Sequence, residues 1–116
     1  MNPSDHPSHA IALAIIAEHD RLYEAFDRRS TARLPIAEIR QILDRVRQAE
    51  DAAIAAIATH AEATGSYLVP SRAIEGSSIR LPVLVTGDTV FVVVEMMGIR
   101  GRVLAGEREF LRLVAI

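Results

Sequence analysis

Between Pro35 and Gly65 the chain contains no glycine or proline. That uninterrupted stretch limits the fold more than any other feature, because it predicts one long helix over Leu34–Thr64. Set as heptads, Ile36, Leu43, Glu50 and Ile57 share one seam position, and Ile39, Val46, Ala53 and His60 share the other. Ile42, Ala49, Ile54 and Ala56 flank the seam, giving a stripe wide enough to pack on a core. Glu38, Gln41, Asp44, Arg45, Gln48 and Asp51 form the opposite, solvated face. Pro35 suits the first helical turn, where a missing N–H costs little, and Gly65 is a natural stop.

The second half of this helix differs from the first. Ala52 to Ala58 is small or apolar all the way round, a pattern expected of a helix covered on more than one side. About 30 residues at ~1.5 Å each give roughly 45 Å, whereas a compact domain of this size is roughly 35 Å across. Both observations predict a homo-oligomer, dimer or larger. Leu43, Val46, Glu50, Ala53, Ile54 and Ile57 are its expected interface, with Glu50 as a polar residue that fixes register between subunits.

A shorter helix is predicted over Ser8–Asp27, with Ile11, Ile15, His19, Leu22 and Phe26 in its stripe. The polar link Arg28–Arg33 has the length that joins antiparallel helices. Residues 1–7, with two prolines, are expected to be disordered. After Ser66 the periodicity changes. Tyr67–Val69 and Arg72–Ile74 are short extended pieces broken by Pro70. Ile79–Val85 and Thr89–Met97 are the strongest strands, joined by a tight turn at Thr86–Asp88. Both faces of Thr89–Met97 are apolar, which predicts a central strand covered on both sides. Gly98 and Gly101 suit a bend, after which Arg102–Ala105 and Phe110–Ala115 form a last hairpin around Gly106–Glu109. The fold class is therefore α+β. An N-terminal antiparallel helical hairpin (8–64) precedes a four- to five-stranded antiparallel sheet or small open barrel (66–116), in a single domain.

Composition narrows function by exclusion. The chain has no cysteine, so disulfides, thiol chemistry and Cys-based zinc sites are absent. All 13 basic residues are arginine, a bias expected of a GC-rich bacterial genome or its phage. Net charge is −2, which argues against a dedicated nucleic-acid binder. The apolar run Val83–Met97 contains Gly87, Asp88 and Glu95, and falls short of a membrane span of ~20 residues. With no leader at the N-terminus, a soluble cytoplasmic protein is expected.

No residue pattern carries specific chemistry, and no motif ties the chain to a known family. His6 and His9 read as solvated tail residues, His19 as a packed core residue, and His60 as an imidazolium favoured by a helix C-terminus. With Phe26 opposite Ile36, His19 and Glu50 fall roughly 10 Å out of register, so no direct pair is expected. The chain has no Glu-x-x-His pair, and a di-iron helical site has no support. Gly98-x-x-Gly101 lacks the following helix that an anion cradle uses. Arg80, Arg100 and Arg102 are the residues through which the sheet would contact an anion or nucleic acid, although few aromatics accompany them. No cofactor or metal is expected. The reading that results is a non-catalytic assembly or protein-interaction module of bacterial or phage origin. A regulatory protein binding nucleic acid or a small ligand through the arginines is the alternative, and a small enzyme comes third.

Overall fold

The computed structural model describes residues 2–30, 34–70, 80–87, 89–96, 98–104 and 111–115. One 3-10 turn, Pro3–Asp5, leads into helix α1, Pro7–Ser30. Ordered structure thus begins inside the stretch expected to be disordered. Helix α2 follows at Ile36–Thr64, within two residues of the predicted bounds. At its start the Pro35 carbonyl accepts the Glu38 and Ile39 N–H groups at 3.0 and 3.2 Å. At its end Gly65 adopts φ 69, and its N–H reaches the Ala61 carbonyl, the left-handed stop that glycine permits.

The two helices form the expected hairpin, but its register differs from the sequence reading. Ser8 meets His60 near one end of the contact and His19 meets Glu50 nearer the other. Between them Ala12 and Ile16 share a core with Ala53, Ile54 and Ile57. Part of the difference is the length of α1: nothing in Asp27–Ser30 breaks a helix, so α1 runs three residues past the predicted stop, which supplies about 4.5 Å of the offset; the packing of the two helices supplies the rest.

Five strands follow: β1 Ser66–Pro70, β2 Leu81–Thr86, β3 Thr89–Met96, β4 Ile99–Leu104 and β5 Leu111–Ala115. They form one open antiparallel sheet in the order β4-β3-β2-β1-β5. The β2–β3 turn lies where predicted, with Thr86 paired to Thr89 and Gly87 at φ 56, the positive φ that two-residue hairpin turns require. Two other expectations are corrected. Gly98, at φ 76, turns β3 directly into β4, so the strand starts at Ile99 and Gly101 lies inside it opposite Val94. The last two strands are not a hairpin either, since β5 pairs with β1 along all five residues at the far edge. The expected strand Arg72–Ile74 and the turn Gly106–Glu109 lie outside the described residues.

β3 is an interior strand buried on both faces, as its composition predicts. Phe91 and Val93 join Leu84 and the helices in one core cluster. On the opposite face Val90 and Val92 join Leu68 and Val83. The molecule measures 48 × 34 × 22 Å, and its long dimension matches the ~43 Å of a 29-residue helix. Helix length is therefore accommodated by an elongated domain, and length alone does not call for a second chain. No helix among the described residues is long and apolar enough to cross a membrane.

Ile57 is fully buried whereas Ile36 is 71% exposed. Ile57→Ala should lower unfolding free energy by about 2–5 kcal/mol in urea titrations. Ile36→Ala should stay within about 0.5 kcal/mol.

Candidate functional site

Charged groups converge where the helical hairpin crosses the β4 edge of the sheet. α2 carries Glu50 four residues after buried Val46 and three before buried Ala53, so helical spacing points the carboxylate into the fold. α1 brings His19 and Asp20 to the same level. Arg102 comes from β4; its partner Val93 belongs to the face that packs on the helices.

Glu50 is the hub. Its Oε2 lies 2.9 Å from His19 Nε2 and 3.4 Å from Arg102 Nε. Its Oε1 accepts the Arg102 backbone N–H at 3.0 Å. Arg102 Nη2 lies 2.6 Å from His19 Nδ1 and also pairs with Asp20 Oδ1, while the guanidinium sits 5.3 Å over the Phe91 ring. His19 Nδ1 also lies 2.9 Å from Asp20 Oδ1, to which only a protonated Nδ1 donates. His19 Nε2 faces Glu50 Oε2, so both ring nitrogens are turned to carboxylates of the chain. Burial alone would raise the Asp20 carboxyl, but hydrogen bonds from His19 and Arg102 and the Arg102 charge outweigh it. Together they hold the group below its ordinary value of 3.8.

A notch of about 340 Å³ opens beside the cluster, lined by His19, Tyr23, Val46, Arg47, Glu50 and Arg102. General acid–base catalysis requires a nitrogen or carboxylate free to face a substrate. Here both His19 nitrogens and both Glu50 oxygens already have partners within the chain. The arrangement is an electrostatic clamp between helices and sheet. It overturns the expectation that His19 and Glu50 lie out of reach, for the register reason given above.

A second cluster lies where the start of α1 meets the end of α2. Ser8 Oγ is 2.7 Å from both His6 Nδ1 and His60 Nδ1. His6 Nδ1 also accepts the Ser8 N–H at 3.1 Å, so that nitrogen has no proton to give. The hydroxyl must donate to His6, and His60 must donate to the hydroxyl. His60 is therefore not placed to take the Ser8 proton, and the pair is not an activated nucleophile. His9 is buried with Nε2 on the Val85 carbonyl at 3.1 Å, unlike the solvated tail residue expected. His60, 1% exposed, is held below the ordinary 6.5 by burial and by the charges of His9 and His6. Its imidazolium is disfavoured, the reverse of the helix-terminus expectation, because desolvation exceeds the modest dipole effect. Among the described residues no group of three or more His, Asp or Glu could hold a metal.

The other anticipated residues take unforeseen places. Val46, Ala53, Ile54 and Ile57 are buried within the one chain and Leu43 is half-buried. Arg102, with a side chain 9% exposed, is removed from any surface anion site. Arg100 is exposed and lies opposite Glu95 in the ladder; Arg80 is exposed just before β2. Glu50 as the lone charge on the seam was a visible signal, but its partners come from 31 or more residues away in sequence, across a register that the sequence does not specify.

Breaking the clamp should be costly. Arg102→Met leaves a largely buried Glu50 carboxylate without its guanidinium and should lower stability by about 3 kcal/mol, read as a shift in the urea midpoint. His60 adds an acid sensitivity. As pH falls through about 6.5 the unfolded imidazole takes up a proton that the folded one refuses, so this stability is present above 6.5 and declines below it. Urea midpoints at pH 7.5 and 5.5 should show that loss, and His60→Gln should flatten it. No family model, curated protein or solved structure matches the chain.

Proposed function

We propose that the protein is a non-catalytic assembly module that associates with further copies of itself through the outer face of its helical hairpin. One observation carries the reading. The Ala-rich half of α2 buries Ala53, Ile54, Ile57 and Ala61 within the chain but leaves Ala52, Ala55, Thr59 and Ala63 exposed on the opposite side. α1 likewise exposes Ala10, Ile11, Ala14 and Ala17, with Ile11 at 60%. Small side chains let a neighbouring helix approach closely, and a helix whose outer face carries so little charge is suited to cover on two sides.

The 12 residues Ala52–Ala63 span about 18 Å at ~1.5 Å each. Two helices about 10 Å wide then present roughly 360 Å² of low-charge surface per copy, the centre of an interface whose polar surroundings supply the rest of the ~800 Å² per partner. The absence of cysteine suits a reducing compartment such as the cytoplasm, and the arginine-only basic set suits a bacterial or phage source.

Light scattering across a hundredfold concentration range tests the reading, with a stable dimer or larger species expected. Ala14→Glu and Ala55→Glu change exposed helical positions, where glutamate is a good helix former. Each should raise the dissociation constant at least tenfold with unchanged circular dichroism. A monomer at every concentration would remove the proposal. Ile54→Glu or Ile57→Glu would not serve, since both side chains are core and their substitution unfolds the chain.

A further inference from the structure

β4 lies at the edge of the sheet, and the hairpin leading into it decides which backbone groups face outward. Met96 pairs with Ile99 across a two-residue turn, and the closing pair of such a hairpin exchanges both backbone hydrogen bonds. Alternation makes Val94 and Gly101 a bonded pair, and makes Glu95–Arg100 and Val93–Arg102 non-bonded pairs. The N–H and C=O groups of Arg100 and Arg102 therefore point away from β3, toward the place of a sixth strand. Glu50 Oε1 meets the Arg102 N–H on that side at 3.0 Å. A helix side chain supplies the acceptor that a neighbouring strand's carbonyl would supply.

We propose that Glu50 guards this edge: its carboxylate closes β4 to strand addition, and without it β4 pairs antiparallel with β4 of a second copy. An open row of strand donors and acceptors is a template for a further chain, and an antiparallel pairing about a twofold axis matches an edge to itself. The backbone there is uncrowded. Ile99 is 74% exposed, and a Cβ placed on Gly101 would meet no atom within 4 Å. Arg102 completes the closure, because its side chain is folded back onto Glu50 and Asp20 instead of lying along the edge. The guard is independent of association through the helices, because it is read as a change from the wild-type mass, whatever that mass is.

Arg100→Pro discriminates edge pairing from general stickiness. The Arg100 N–H points outward, so proline preserves the β3–β4 ladder while removing a donor that an added strand would use. Light scattering and circular dichroism on the full chain compare wild type, Glu50→Ala, Glu50→Ala with Arg100→Pro, and Glu50→Gln. Glu50→Ala should at least double the wild-type mass, and the double variant should return to it. Glu50→Gln keeps an acceptor oxygen and should stay at the wild-type mass. A folded Glu50→Ala at the wild-type mass, or association that survives Arg100→Pro, overturns the proposal. If Glu50→Ala does not fold, amide exchange in Glu50→Gln decides. A slowly exchanging Arg102 amide at wild-type mass, or a fast one with increased mass, supports the guard; a fast one at unchanged mass overturns it.

Discussion

A carboxylate on the inner seam of α2 must find donors or shift the fold to reach water, because an ionised group left unpaired in the interior costs several kcal/mol. Glu50 finds three: an imidazole from α1, a guanidinium nitrogen from β4 and a backbone N–H on the same strand. The contacts reach two separate parts of the chain, His19 on α1 and Arg102 on β4. Together they tie the two helices to the sheet at the end where the apolar core thins out. No described residue between His19 and Val46 is fully buried, so this clamp marks the boundary between the packed body and the projecting hairpin.

The clamp also bears on topology. A sheet that ends in β4 could have accepted β5 beside it, as the order of the strands in sequence suggests. Instead β5 pairs with the free side of β1 along its whole length, while at the other edge Glu50 meets the outward N–H of Arg102. Pro82 has a related effect inside the sheet: it has no N–H to give, and the β2–β3 pairing extends no further than Val83.

Polar atoms elsewhere in the interior follow the same rule. Ser8, His6 and His60 satisfy one another, His9 takes a strand carbonyl, and among the described residues no buried side-chain polar atom lacks a partner. Such closed networks fix geometry. The proposed assembly role draws on a different feature, the alanine-rich surface on the outside of the hairpin.

Periodicity determined what local physics can determine. The stripe through Ile39, Val46 and Ala53, the stop at Gly65, the turn at Thr86–Thr89 and the two apolar faces of Val90–Val93 all follow from spacing and backbone preference. So the helices, the principal hairpin and the α+β class were legible from the residues alone. Register was not. α1 runs three residues further than its pattern suggests, and the packing of the two helices supplies the rest of the shift that brings His19 to Glu50. Strand order was also decided by the tertiary structure, since β5 lies beside β1 and not beside its neighbour in sequence, β4. The sequence shows that Glu50, His19 and Arg102 carry charge or polarity; only the packed chain, which places them within 3.4 Å of one another, makes them one interaction.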